Sequence, residues 1–579
     1  MINIKENEKL NMLNHSCAHL LAHAVKHLYP SAKFWVGPVV ENGFYYDIDL
    51  GEDVLKEEDL ERIEKEMKKI SKSDKLIKRI ELSKNEALDM FKDDPYKLDL
   101  IERMDESETV ITAYKQDDFI DLCRGPHMPT TKSMKYFKLL KFSGAYWKGD
   151  AKNKMLQRIY GVCYETEEEL NAHLEFLEEA KKRDHKRLGR ELGLFMISEY
   201  GPGFPFFLPN GMILRNELEN FWYNEHTKEG YKFVKTPIML NQELWEVSGH
   251  WYNYRENMYT SEIDDRLFAI KPMNCPGGML VYKNGLYSYK DLPLRVGELG
   301  LVHRHEASGA LNGLFRVRTF TQDDAHIFMT EDQMESEIIN LINFIDRVYK
   351  MFNLPYTIEL STRPEEKYIG EIEVWDRAEK ILEEACKKSG HEAKINPGDG
   401  AFYGPKLDFH VTDSLGREWQ CGTIQLDMNL PERFDLNYID KDGSKKRPIM
   451  LHRVIFGSVE RFIGILIEHF AGVFPLWLAP VQLNVIPVNN QYHLEYAKEV
   501  YELLKENGFR VELDDREEKL GYKMRESVMK KIPYSIILGQ KEVDNQNISY
   551  RVHGSEETIT VSKDEFINLI KNKIEKKEV

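Results

Sequence analysis

Residues 320 to 328 read FTQDDAHIF, an amide, two carboxylates and an imidazole set between apolar side chains. Successive side chains of an extended strand alternate faces. Gln322, Asp324 and His326 therefore share one face with Phe320 and Phe328, while Thr321, Asp323, Ala325 and Ile327 share the other. An amide, an acid and a metal-capable imidazole in one row suit the wall of a polar pocket. The same residues also fit a strand end with solvated acids and a satisfied histidine.

Three further stretches carry chemistry. In LVHRHEASGALNGLFRVRTF two strand-like runs flank a Gly/Ser/Asn-rich loop, a hairpin signal. Parity puts Arg304 with Glu306 on one strand and Arg316 with Arg318 on the other. Guanidinium forks suit phosphate and carboxylate oxygens, although an ion-pair ladder across the hairpin fits as well. MLHRVIFGSVERFIGILIEHF reads as strand, Gly-Ser break and amphipathic helix. Arg461 falls in the first helical turns, where a lone cation gains nothing from the helix dipole. It implies an anion or a flat π-system to stack on, or a pairing with Glu460 or Glu468. NHSCAHLLAHAVKH sets His15, His19, His23 and His27 at i, i+4 steps on one helix face. DLCRGPHMP adds Cys123 and His127, so H-x3-H with C-x3-H is either a zinc-binding set or a buried histidine stripe.

The elements that position these residues follow from the bulk of the chain. At 579 residues it should hold three or four domains. A hydrophobic content of 42% with 31% charged residues is that of an ordinary soluble globular enzyme. No apolar run approaches ~20 residues, so no membrane span is expected, and MINIKENEKLN has no secretory h-region. Six scattered cysteines without a C-x-x-C pair point to a reducing, cytoplasmic setting. The net charge of −17 requires any nucleic-acid partner to meet local basic patches.

Residues 55 to 90 and 165 to 190 are charge-rich with helical periodicity. In the second, Leu170, Leu174, Leu177 and Ala180 keep helical spacing, as in a solvated linker helix. FAGVFPLWLAPVQLNVIPV marks a boundary. Beyond it a β-α-β-α-β alternation predicts a small α/β domain with a mostly parallel or mixed sheet. The middle, 185 to 475, mixes hairpins and helices and has neither G-x-G-x-x-G nor a P-loop.

The LVHRHEASGALNGLFRVRTF hairpin, the 450–470 segment and GPGFPFFLPNGMILRNELENFWYNEHTKEGYKFVKTPIM closely resemble motifs 2, 3 and 1 of class II aminoacyl-tRNA synthetases, with Pro237 at the motif 1 proline. KPMNCPG, HRHE, FTQDDAHIF, AFYGPK, QCGT and LHRVIFGSVERF stand in the order of one branch, the threonine–tRNA ligases of bacterial type. The resemblance spans residues 10 to 579.

It implies a multidomain α+β and α/β fold: an α+β editing domain (1–164), a linker helix (165–184), a class II antiparallel-sheet catalytic domain (185–475) and a C-terminal α/β anticodon-binding domain (476–579). It implies one Zn2+ per subunit on Cys275, His326 and His452, and Mg2+ entering with ATP. Asp324 matches the acid that takes the substrate hydroxyl, and Gln322 and Tyr403 match residues around the amino acid. Arg304 matches a contact to the α-phosphate and carboxylate, Arg316 to the γ-phosphate, and Arg461 the arginine stacked on adenine. Glu306 and Gln420 resemble further ATP contacts.

The partners so implied are ATP, L-threonine and tRNA(Thr), in a homodimer built on motif 1. His15, His19, Cys123 and His127, with Lys97 and Asp121, match a pocket that hydrolyses mischarged seryl-tRNA, whereas His23 and His27 match no role and read as structural. Arg525, Glu542 and Arg551 fall where anticodon contacts are sought. Two departures stand out: no ubiquitin-like domain precedes the editing segment, and Gly278 replaces a common histidine. Two rival readings are weaker. A non-catalytic tRNA-binding paralogue would not need Arg304, Arg316, Arg461 and the three zinc ligands. A zinc hydrolase centred on the N-terminal histidines lacks the H-E-x-x-H glutamate.

Overall fold

The structure is a computed structural model that describes residues 3–104, 110–150, 152–366 and 368–579. The chain divides into two compact units, Met1–Glu179 and Ala180–Val579, and the division falls within the helix Glu167–Arg183. That helix occupies the segment expected as a linker. Leu170 and His173 are its buried residues.

In the N-terminal unit the helix Glu8–Leu28 starts on Asn7, whose side chain accepts from the Leu10 amide. Such a cap satisfies one of the donors that every helix start leaves open. The helix packs Leu13, Cys17, Leu20, Leu21 and Ala24 into one core with Phe44 and Ile48 of the sheet. That sheet runs Lys33–Phe34, Gly43–Asp49, Met155–Tyr164, Tyr136–Tyr146, with Val39–Val40 paired to Gly43–Asp49. A separate three-stranded antiparallel sheet joins Ile77–Leu82, Ile111–Gln116 and Phe119–Leu122. Its last two strands meet through the two-residue turn Asp117-Asp118. Asp117 takes φ 58°, a left-handed conformation that short polar side chains tolerate.

The second unit is built on an eight-stranded sheet. Its order is Lys232–Phe233, Leu294–His303, Thr319–Met329, Ile449–Val454, Glu418–Asp427, Lys406–Thr412, Tyr356–Ser361, Ala393–Asn396. The six inner strands are antiparallel, and the short outer strand at each edge is parallel to its neighbour. The expected alternation along Thr319–Met329 holds. Ala325 and Ile327 enter the main core with the helices Met334–Met351 and Val459–His469, while Phe328 packs with Cys275 and Tyr282 on the opposite face.

The parity expected for the hairpin arginines does not hold. The paired strands end at His303 opposite Thr319, so Arg304, Glu306, Arg316 and Arg318 lie in the connecting loop. Arg318 bends that loop back by donating to the carbonyls of Glu306 (3.0 Å) and Pro202 (3.2 Å).

Residues 483 to 562 form a five-stranded mixed sheet, three strands parallel and two antiparallel, with its own core. It belongs to the same compact unit as the large sheet. Arg510 ties the two parts together through Glu217 (2.7 Å) and the carbonyls of Trp477 and Ala479. Among the described residues no helix is long and apolar enough to cross a membrane.

Candidate functional site

Three strands and one helix start converge on the face of the large sheet that carries Gln322, Asp324 and His326. His326 lies directly opposite His452 on the neighbouring strand Ile449–Val454, with ring centroids 5.0 Å apart. Cys275 is the first residue of the helix Cys275–Lys283. The ligand atoms of Cys275, His326 and His452 all lie within 4.8 Å of one another. The Nε2 atom of His326 is buried without a hydrogen-bond partner, although a buried polar atom is normally satisfied. A cation held by one thiol and two imidazoles would satisfy it, and that donor set suits zinc with a fourth position open. Burial holds His326 down to about 4 and pushes the Cys275 thiol well up. Burial thus favours the neutral form of both groups, and a bound cation would favour the thiolate.

Partners around this set were not singled out from the sequence. His452 Nε2 lies 2.7 Å from Asp427 Oδ2, and Asn274 Nδ2 donates to Asp324 Oδ2 at 3.2 Å. His250 approaches Cys275 Sγ at 3.8 Å and is held down to about 4 by burial. Parity could have found Asp427. Thr423, Gln425 and Asp427 alternate along Glu418–Asp427 as Gln322, Asp324 and His326 do along theirs. No local signal marks His250 or Asn274.

Tyr403, 5.3 Å from the His452 ring, is set by the tight turn at Gly404, where an added Cβ would meet the Leu426 carbonyl oxygen. Gly278 lies against the metal-type set. A Cβ there would come within 3.2 Å of His326 Nδ1, so a larger residue requires the imidazole to give by a few tenths of an ångström.

Two adjoining chambers open from this set. The inner is lined by Cys275, Asp324, Tyr403 and His452, the outer by Glu306, Arg316, Gln420 and Arg461, and Arg304 and Gln322 border both. Gln322 Oε1 is a second buried atom without a partner. Arg304 donates to the Pro272 carbonyl (3.1 Å) and lies 5.1 Å from the Phe320 ring centre.

Arg461 donates to the carbonyls of Phe315 (3.0 Å) and Gln420 (3.3 Å). The alternative that it pairs with an acid of its own helix is not met. Glu460 is taken by Arg215 and the Thr321 amide, and Glu468 by His185 and Arg417. Burial, with Arg316 and Arg304 nearby, holds the Arg461 guanidinium below its ordinary pKa. Arg316 stands 3.8 Å from Glu306, so the ladder reading survives only at this one pair. Gln420 turns its amide to Asp408 (2.7 Å). Three guanidiniums facing one carboxylate make a cationic chamber in an acidic protein, suited to a polyanion such as a nucleoside triphosphate.

The N-terminal unit carries a second constellation. His15 and His19 on the helix Glu8–Leu28 meet Cys123 and His127 beyond the strand Phe119–Leu122, with all four ligand atoms within 4.8 Å. Cys123 Sγ lies 3.2 Å from both His15 Nε2 and His127 Nε2. Burial holds His19 down to about 4, lowers His15 and His127, and pushes Cys123 up to about 12. Behind them Lys97 Nζ lies 2.5 Å from Asp121 Oδ1, both side chains almost wholly buried, and His19 Nε2 is 3.5 Å from Asp121 Oδ2. Tyr46 bonds the same carboxylate. Burial alone would raise Asp121, but Lys97 and His19 hold it below the usual carboxylate range.

The three C-terminal candidates do not form one cluster of contacts. Arg525 is exposed on the helix Leu520–Met529. Arg551, on Asn547–Val552, donates to Thr558 (2.8 Å). Glu542 accepts from the Gly539 amide (2.9 Å) and Ser549 (2.6 Å).

Comparison with known proteins places these geometries. Residues 259–470 match the tRNA synthetase class II core domain (G, H, P, S and T), residues 482–573 an anticodon-binding domain, and residues 111–160 the threonyl and alanyl tRNA synthetase second additional domain. The chain is 58% identical over 574 residues to a threonine–tRNA ligase of Fusobacterium nucleatum, covering 98% of this chain and 92% of that one. It is 56% identical over 580 residues to one from Clostridioides difficile, covering 100% and 90%. A crystal structure described as the RNA binding domain of threonyl-tRNA synthetase from Cryptosporidium parvum shares 40% identity with a TM-score of 0.65, over 67% of this chain and 98% of that one.

Proposed function

The chain belongs to the threonine–tRNA ligases, carrying their class II core, anticodon-binding and editing-type domains, and on that premise we propose how its two sites divide the work. The large sheet activates L-threonine with ATP to threonyl-adenylate and pyrophosphate, then passes the acyl group to the 3′-terminal adenosine hydroxyl of tRNA(Thr). Arg304 and Arg316 hold the triphosphate, which brings Mg2+ with it, and Arg461 lies over the adenine with Glu306 and Gln420 beside it. These cations neutralise charge that develops as the threonine carboxylate attacks the α-phosphate in line. Positioning and electrostatics supply the catalysis, and no side chain becomes a nucleophile.

Cys275, His326 and His452 would hold one Zn2+ per subunit, which when bound supplies a Lewis-acid position for the substrate amine and hydroxyl. Asp324, steadied by Asn274, accepts a hydrogen bond from the substrate hydroxyl, and Gln322 and Tyr403 frame the amino acid. The observation that carries this reading is the partnerless buried Nε2 of His326 beside a thiol and a second imidazole, on the same strand face as Asp324. The experiment is threonine-stimulated ATP–pyrophosphate exchange with zinc content measured on the same sample. Absence of exchange in a folded, zinc-loaded chain refutes the reading.

A site that engages the hydroxyl rejects valine, whose isosteric side chain leaves polar partners unpaired. Serine keeps the hydroxyl and lacks one methyl, a difference of only about 1–3 kcal/mol. Hydrolytic correction is the remedy, and we assign it to His15, His19, Cys123 and His127, with Lys97 and Asp121 as the buried support. Arg525, Glu542 and Arg551 remain our candidates on the anticodon side.

Exposed apolar side chains between 196 and 247, among them Phe206, Tyr223, Phe233, Ile238 and Met239, support a homodimer through the motif 1 region. Light scattering at twice the chain mass would test it. Six free cysteines support a cytoplasmic setting.

A further inference from the structure

His23 and His27 lie one and two turns beyond His19 on the helix Glu8–Leu28, and neither is used by the sites above. Their Nε2 atoms are 3.1 Å apart. Both face Asp118 in the two-residue turn between Ile111–Gln116 and Phe119–Leu122, at 2.8 Å from His23 and 3.3 Å from His27. The outer nitrogens are held as well: His23 Nδ1 lies 3.0 Å from Gln116 Nε2, and His27 Nδ1 lies 3.1 Å from Glu66 Oε1. His23 stacks on Phe119 and is almost fully buried, whereas His27 and Asp118 face solvent.

A proton on His23 Nε2 can be shared between Asp118 and the His27 Nε2 lone pair, but every proton arrangement leaves one repulsive contact in this triangle. If both rings direct an Nε2 proton at the one carboxylate, two N–H groups confront each other at 3.1 Å. If either ring lacks that proton, its lone pair faces the carboxylate. A cation at the centre resolves all three contacts. A tetrahedral ion with bonds of ~2.0–2.1 Å spaces its donor atoms about 3.3 Å apart, and the three separations are 2.8, 3.1 and 3.3 Å. Metal-bound imidazoles usually direct the other ring nitrogen to a carboxylate or amide that fixes the tautomer. Glu66 stands in that place for His27. For His23 it is the Gln116 amide, whose Oε1 is buried without a partner. Turning that amide over gives Oε1 the His23 Nδ1 proton and frees Nε2 as a ligand.

We infer that His23, His27 and Asp118 form a separate divalent-cation site of the zinc class, with Glu66 and Gln116 as its outer support. Two imidazoles and a carboxylate suit Zn2+ above the hard cations. The exposed side of the triangle leaves the fourth position to water. The ion clips the C-terminal half of the helix to the turn that leads into Asp121 and Cys123, and so braces the neighbouring His15 and His19.

The test is Zn2+ binding to the full-length chain, by elemental analysis after dialysis and by competition with a chromophoric chelator. His27→Gln, at an accessible position, removes one zinc per chain with helix content unchanged by circular dichroism. Glu66→Gln weakens the same ion by roughly 10–100-fold, and Asp118→Asn, which removes a ligand, weakens it further. Cys275→Ser, measured alongside, reports on the other unit, so failure there leaves this result readable. Unchanged zinc count and affinity in both His27→Gln and Asp118→Asn overturn the proposal. If His27→Gln unfolds the chain, Asp118→Asn alone decides.

Discussion

His326 and His452 face each other as a register pair on adjacent antiparallel strands, and the pairing of Ile449–Val454 with Glu418–Asp427 on its other side sets Asp427 2.7 Å from the second imidazole. A slip of one residue would turn every side chain of Ile449–Val454 to the opposite face. The thiol of Cys275 would then be left with a single imidazole. The metal-type set is therefore a property of strand register as much as of residue type.

Cys275→Ser should remove zinc and threonine-stimulated exchange together. We expect exchange to fall at least about a hundredfold, as when a key electrostatic group is lost. Zinc content, exchange rate and circular dichroism on one sample check it. Activity retained in a zinc-free variant would end the assignment.

Arg316→Ala and Arg461→Ala should leave zinc bound while lowering exchange by roughly 10²–10³-fold, the usual cost of losing one group that stabilises developing charge. ATP saturation curves should show the loss mainly against ATP, with threonine KM little changed. Equal damage to both substrates would argue for collapse of the loop instead.

His19→Ala combined with Cys123→Ala should leave charging with threonine intact and let seryl-tRNA accumulate, measured by deacylation of preformed seryl-tRNA. Hydrolysis at the wild-type rate would remove the editing role from this cluster. Lys97→Met should be more damaging to folding, because it strands the buried Asp121 carboxylate. Breaking a buried pair from one side costs about 3–5 kcal/mol.

His226 gives a pH prediction away from the metal-type ligands. Burial, then the Arg453 charge, hold its imidazole well below the ordinary value. Its folded pKa is depressed, so the unfolded chain takes up the proton first. The stability it contributes is complete above about 6.5 and is lost as pH falls below that, by up to about 1.4 kcal/mol per pH unit. Thermal unfolding of the wild type should weaken between pH 6.5 and 5, and His226→Gln should be less stable at pH 7 yet show a shallower slope. An equal slope in both proteins would contradict this.

Much of each site was legible where geometry is local. The faces of FTQDDAHIF, the i, i+4 histidine row and the Gly-Ser break before Arg461 follow from periodicity or turn chemistry, and each is where expected. Other features were not legible. The loop arginines were assigned to strands because parity by itself gives no stop at His303, while in the fold Arg318 bonds the carbonyls of Glu306 and Pro202 within a loop. His23 and His27 read as structural because they match no family role, and their contact with Asp118, 91 positions beyond His27, leaves no local signal.

By itself the sequence determined which side chains share a face, since a strand alternates every residue and a helix returns every 3.6. It also carried the ordered motifs that mark the family. Tertiary structure decided which faces meet. Ile449–Val454 is inserted between Thr319–Met329 and Glu418–Asp427, out of chain order. That insertion brings His452 to His326, and Asp427 to both, because strand neighbours are chosen by the burial of whole faces and no local pattern encodes the choice.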